Sequence, residues 1–333
     1  MLNQFLFKRQ GASCDFDFDN LHTLSAERAD AVGARVAGKL HSADERDRQE
    51  FHAVLNRILN ASYEHRPTPA LDVAWQAQLV ESRMIDAWLR AERERARSTW
   101  RLPNEGELLR DWFDQFIDAH AASRHPLFRF LAEEATARQL AYYIFQENPS
   151  DANFEDLIVS LQLGIGNPNS KMELARNYWD EMGLGDIRLV HTELYNEFLT
   201  EVRGLVPEFD SHFEALPEAI ATGNYLLYAC KYRSTRYLGL GCLGVIERLF
   251  SEASETVVKA CVRLGIKTQL YHRTHCAIDL EHTDRWSTHL FDEIERDGPV
   301  AAEEIALGAI LRLNIIGAMY DRILAQFRAG AYR

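Results

Sequence analysis

His275, Asp279 and His282 stand at i, i+4 and i+7 in the run Tyr271-His-Arg-Thr-His-Cys-Ala-Ile-Asp-Leu-Glu-His282. At about 100° per residue, Asp279 lies about 40° and His282 about 20° from the direction of His275. All three side chains therefore leave one face of one helix within two turns. Two imidazoles and a carboxylate on a shared face are how helical bundles present a mixed nitrogen and oxygen donor set to iron, manganese or zinc. The plain alternative is a polar helix face with chance histidines.

A second constellation is Asn177-Tyr-Trp-Asp-Glu181-Met-Gly183-Leu-Gly185, followed by Asp-Ile-Arg188-Leu-Val-His191. Asp180 shares its stripe with Arg176 and Glu173, which reads as solvated. Glu181 shares its stripe with Leu174, Asn177 and Tyr178 and reads as inward, so Glu181 is the better ligand candidate. On an unbroken helix His191 would point about 80° away. Gly183 and Gly185 offer a break that re-aims the second half. Without that convergence, Glu181 is a buried salt-bridge partner and His191 a core histidine.

Glu147 and Glu247 are lone carboxylates in apolar runs, LAYYIFQE and YLGLGCLGVIE. A buried carboxylate needs a partner or a metal. Arg248, Arg233 and Arg236 are the candidate partners for a simple ion pair. No phosphate-binding G-x-x-x-x-G-K-[ST], nucleophile G-x-S-x-G or H-E-x-x-H motif occurs in the chain. Gly239, Gly241 and Gly244 form G-x-G-x-x-G with no strand before it, so they read as helix-packing glycines.

The elements that must position these groups are helices. Ala, Leu, Glu and Arg are abundant, β-branched runs are few, and prolines and glycines punctuate segments of helical length. Helices are expected over 25–38, 42–62 and 70–99, then as a compact array from about 107 to Phe327. Pro103 to Gly106 reads as a linker. The expected organisation is an accessory helical region over 1–104 and a helical domain over 105–333.

The chain has 333 residues, 37 Lys+Arg and 50 Asp+Glu, a formal net charge of −13. Such a surface argues against nucleic-acid binding. No apolar run reaches the roughly 20 residues of a membrane helix, and the start lacks a signal-peptide core. A soluble, cytoplasmic protein is expected. Five cysteines without a C-x-x-C pair argue against thiolate zinc and iron–sulfur sites.

Taken in order, these segments resemble a known family, the haem-oxygenase-like di-iron oxidases, also described as iron-containing redox enzymes. The likeness runs from about His125 to Phe327. Its landmarks are HPLFRFLAEE, YYIFQE, FEDLIVSLQLG, KMELARNYWDEMGLGD with His191, LGVIE, and HRTHCAIDLEH. The resemblance implies an all-α, haem-oxygenase-like bundle of about seven core helices with an N-terminal helical extension. It implies two ferrous ions, dioxygen as co-substrate, and Glu147, Glu181, His191, Glu247, His275, Asp279 and His282 as ligands. Some members carry another glutamate where this chain has Arg188, which leaves Glu247 to take that carboxylate role.

Members oxidise amino acids or fatty acids, by N-oxygenation, oxidative cleavage, desaturation or decarboxylation, often in natural-product pathways. The expected activity is oxidation of an amino-acid-derived small molecule, with a fatty acid as the alternative substrate and a homodimer as the assembly. Glu181 and Arg188 are the expected catalytic residues. Arg188 is a candidate clamp for a substrate carboxylate, because guanidinium binds carboxylate bidentately. Its alternative is a surface arginine after a loop. Two other readings stand beside this one. The first is a haem-binding or metal-free bundle, for which His125 is the nearest axial candidate. The second is a non-enzymatic helical interaction protein, in which the acids and histidines do not converge.

Overall fold

The computed structural model describes residues 16–18, 20–63, 74–104, 106–151, 154–206, 209 and 213–333, without the side chains of 150–151 and 277–281. The described residues form helices and no strand. In chain order the main ones are α1 (Ala26–Ala37), α2 (Glu45–Asn60), α3 (Trp75–Thr99), α4 (Leu109–Ala119), α5 (Pro126–Glu133), α6 (Ala137–Asp151) and α7 (Phe154–Gln162). They continue with α8 (Pro168–Glu181), α9 (His191–Leu205), α10 (Pro217–Lys231), α11 (Arg236–Leu264), α12 (Leu270–Arg285) and α13 (Pro299–Arg328). The expected helices over 25–38, 42–62 and 70–99 correspond to α1, α2 and α3, the last described from Trp75. None is long and apolar enough to cross a membrane.

The helix starts follow the sequence. Asp44 caps α2 by accepting from Arg46 N at 2.9 Å. His125 Nδ1 accepts from Leu127 N at 3.1 Å with Pro126 in the first helical position, and Asn167 does the same for α8 ahead of Pro168. Gly265, at φ 75°, ends α11 in a left-handed turn, and Ile266 N donates back to Cys261 O at 2.9 Å.

The two longest helices, α11 and α13, form the spine. They cross so closely that a Cβ on Gly241 would stand 1.9 Å from Ile305 O, and one on Gly308 2.2 Å from Leu238 O. Backbone contact of that kind admits only glycine, which is the packing role expected for the G-x-G-x-x-G run. α12 lies along α11 and runs directly into a π-helical turn, Trp286–Phe291, that buries Trp286, Leu290 and Phe291.

The N-terminal helices close over the far side of the spine and share its apolar core. Asn56 Nδ2 of α2 donates to Asn224 Oδ1 of α10 at 2.8 Å, fully buried. Glu81 of α3 receives Lys231 Nζ at 2.7 Å and Tyr232 Oη at 2.8 Å. Arg93 forks onto Glu304 of α13.

Candidate metal centre

Glu181 is the last residue of α8 and His191 the first of α9. Nine residues lie between them, yet their side chains meet, because the chain between them folds back. Gly183, Leu184 and Gly185 have φ of 61°, 55° and 88°. A Cβ on Gly183 would stand 2.5 Å from the Leu189 carbonyl carbon, so only glycine fits the fold-back. This is the break that the two glycines suggest in the sequence.

Glu181, His191 and His275 each offer a ligand atom, and the three atoms lie within 4.8 Å of one another. All three residues are buried. His191 Nδ1 stands 2.7 Å from Glu181 Oε2, but the two do not have hydrogen-bond geometry and the nitrogen is otherwise unpartnered. Side-by-side lone pairs of this kind suit two ligands of one centre better than an ion pair. His275 Nδ1 is 2.8 Å from Tyr271 O. A carbonyl can only accept, so Nδ1 carries the proton and Nε2 keeps its lone pair. Burial, and then neighbouring His191, hold the His275 imidazole well below its ordinary pKa, so it is neutral. A neutral imidazole oriented by a backbone carbonyl is the form in which histidine binds a metal.

Two turns along α12, His282 meets different partners. Its Nδ1 lies 2.8 Å from Glu247 Oε2 and its Nε2 2.9 Å from Asp180 Oδ2. Asn177 Nδ2 donates to the other oxygen of Glu247 at 2.8 Å. Glu247 thus pairs with none of Arg233, Arg236 and Arg248. Asp180, read from the sequence as solvated, is covered here by His282 and by Arg285 at 3.7 Å. Glu173 of the same stripe is buried as well. The correction has a simple cause: α12 lies across that face, and nothing within α8 announces it. Asp180 and Asn177 are the site residues that the sequence reading missed. Asp279 lies on α12 between the two histidines, and its side chain is outside the described residues.

A cavity of about 290 Å³ joins these groups. Glu147, Glu181, Glu247 and His275 line it, with Phe128, Leu249, Phe250 and Ile316 supplying apolar wall. Glu147 accepts from Tyr143 Oη of the preceding helical turn. Tyr142 and Tyr225 are fully buried core residues, and the tyrosines that line the cavity are Tyr271 and Tyr320. Arg188 is elsewhere: its side chain is 83% exposed and bound to Asp186 at 2.6 Å. That position fits the surface alternative: its short 3-10 turn leaves Ile187–Leu189 all solvent-facing.

Glu155 lies near the first group, its Oε1 3.4 Å from Thr192 Oγ1. Burial, helped by the charges of Asp156 and Glu181, pushes its carboxyl up to about 7.

The donor set fits iron. Two buried imidazoles and a carboxylate converge, one imidazole nitrogen is left without a hydrogen bond, and further carboxylates line the same cavity. The fit to haem is poor. His125 reaches the cavity, but its Nδ1 accepts from Leu127 N and its Nε2 faces Asp321 Oδ1 at 3.1 Å, so no lone pair remains for an axial bond.

A family model described as iron-containing redox enzyme matches residues 141–317. The match takes in α8 to α12, and with them Glu147, Glu181, His191, Glu247, Asp279, His275 and His282. No curated protein matches the chain.

Proposed function

The chain belongs to the iron-containing redox enzyme family, and from that premise we propose that it is a dioxygen-dependent di-iron oxidoreductase. Its substrate is a small molecule, amino-acid-derived or a fatty acid, oxidised by N-oxygenation or oxidative cleavage in the first case and by desaturation or decarboxylation in the second. The observation that carries the reading is the buried convergence of Glu181, His191 and His275.

Glu181, His191 and His275 would hold one ion, His275 through Nε2. Glu247 and His282 would hold the other, with Asp279 and Glu147 completing the set. Iron bound there supplies the oxygen-activating and electron-transfer chemistry that no side chain has. The protein's own part is ligation, orientation and the exclusion of water. The Tyr271 carbonyl fixes the tautomer of His275. Phe128, Phe250, Leu249 and Ile316 keep the space beside the ligands apolar, so bulk water does not compete with a substrate.

Anaerobic titration with Fe(II) tests the proposal. About two irons per chain are expected in the wild type, with dioxygen consumed on exposure to air. His275→Ala should lose at least one of them. An iron content of the wild type near zero, or one unchanged by both His275→Ala and Glu181→Ala, would sink the reading.

A further inference from the structure

Three arginines line the cavity, and they differ in kind. Arg124 and Arg129 stand at its mouth, about three-quarters exposed, and each is ion-paired, to Asp118 and Glu133. Arg312, on α13, is 6% exposed. Its Nη1 is fully buried and has no hydrogen-bond partner. Among the described residues it makes no ion pair with any acid. Of the carboxylates that line the cavity, Glu147 accepts from Tyr143, Glu247 faces Asn177 and His282, Glu181 stands beside His191, and Glu252 is solvent-exposed; none is ion-paired to Arg312.

A guanidinium is charged at any working pH, and a buried one without a counter-charge is costly. Something must repay that cost in the working state. The neighbouring thiol of Cys242 cannot, because burial pushes it up to about 12 and keeps it neutral. Nor do the cavity acids: Glu147, Glu181 and Glu247 are ligand candidates, Glu252 faces solvent, and none is ion-paired to Arg312. A molecule that enters the cavity can bring the negative charge to it.

We propose that Arg312 is the anchor for the carboxylate of the substrate, and that the apolar wall of α11 and α13 receives an uncharged hydrocarbon body. The proposal rests on the di-iron reading for its account of the acids, and it narrows the substrate class to monocarboxylates with an apolar chain. Leu249, Phe250, Leu313, Ile316 and Met319 offer that chain no polar partner. A single buried cation suits a single carboxylate better than a phosphate or a dicarboxylate, which carry more charge than it balances. Arg312 lies on no helix that carries a ligand candidate, so its role separates cleanly from ion binding.

The test compares octanoate with octan-1-ol, equal in chain length and differing in charge. Binding is measured by calorimetry on the full-length protein, both metal-free and loaded anaerobically with Fe(II). Octanoate is expected to bind at least tenfold more tightly than octanol to the loaded protein. Arg312→Met should remove that preference while leaving octanol affinity and iron stoichiometry unchanged. Arg312→Lys, which keeps the charge and loses the fork, should retain part of it. As a second probe that leaves Arg312 in place, Ile316→Trp should block both ligands by filling the wall. Octanoate bound no better than octanol, or equally well by Arg312→Met, overturns the proposal. Absence of iron binding alone overturns the di-iron reading instead, and the octanoate preference is then read on the metal-free protein.

Discussion

Of the three histidines of α12, His275 and His282 sit one heptad apart on the same helix face, yet their surroundings are opposite. Around His275 the donors converge without satisfying one another: His191 Nδ1 and Glu181 Oε2 are 2.7 Å apart and not hydrogen-bonded. Around His282 the ring nitrogens are enclosed by polar partners, although the buried Asn177 Oδ1 has no hydrogen-bond partner. Both ring nitrogens face carboxylates, and Asn177 holds the far oxygen of Glu247. Asn177 Nδ2 also lies 3.2 Å from His282 Nδ1, so the imidazole is enclosed by two carboxylates and an amide. An ion arriving at the His275 end replaces an unfavourable contact. At the His282 end an ion would first have to displace at least one of these polar contacts. One heptad therefore joins donors left unsatisfied around His275 to donors already engaged around His282.

The sharpest way to break this comparison is Glu247→Gln. The His282 end should lose its ion, a drop from two irons to one per chain in anaerobic titration, while the His275 end keeps its own. Simultaneous loss of both would mean that the two ends are a single unit.

A smaller effect is expected at Glu155, which borders the His275 end. Its carboxyl titrates near 7 in the folded chain against an ordinary value of 4.5. Between those values the folded state holds more protons than the unfolded one, so this group makes stability fall as pH rises from about 4.5 to 7.5. The shift corresponds to about 2 kcal/mol after allowance for its partial exposure. Glu155→Gln should stabilise the metal-free protein by about that much at pH 8 and by nothing at pH 4, read from urea unfolding. Iron loading, by offsetting the Glu181 charge, should weaken the same pH dependence in the wild type. A Glu155→Gln protein whose stability still falls over that range would place the strain elsewhere.

The smallest effect belongs to Arg188. Arg188→Ala should leave iron stoichiometry and octanoate affinity unchanged and shift stability by less than about 0.5 kcal/mol. A tenfold loss of octanoate affinity would return the anchor role to that loop.

Much of this architecture was legible in the residues. The helical periods and the glycine break after Glu181 are local signals, and each has its counterpart in the fold. The pairing of Glu181 with His191 was legible as a possibility, because Gly183 and Gly185 mark where the direction changes. What was not legible is non-local. Asp180 reads as solvated from its own helix and is covered by a histidine and an arginine about a hundred positions away. Arg312 carries the same signal that singled out Glu147 and Glu247, a lone charge in an apolar run.

The tight crossing of α11 and α13 through Gly241 and Gly308 has a consequence for how such a protein diverges. The two helices cannot shift against each other without a backbone clash, so the cavity face of α13 is held in register with the ligands by main chain alone. Side chains on that face are then free to be rewritten. On the proposed reading, exchanges at Arg312, Leu313, Ile316 or Met319 would alter which molecule is held while leaving every ligand candidate in place. Changes in substrate could then accumulate along one helix without touching the residues proposed to hold iron.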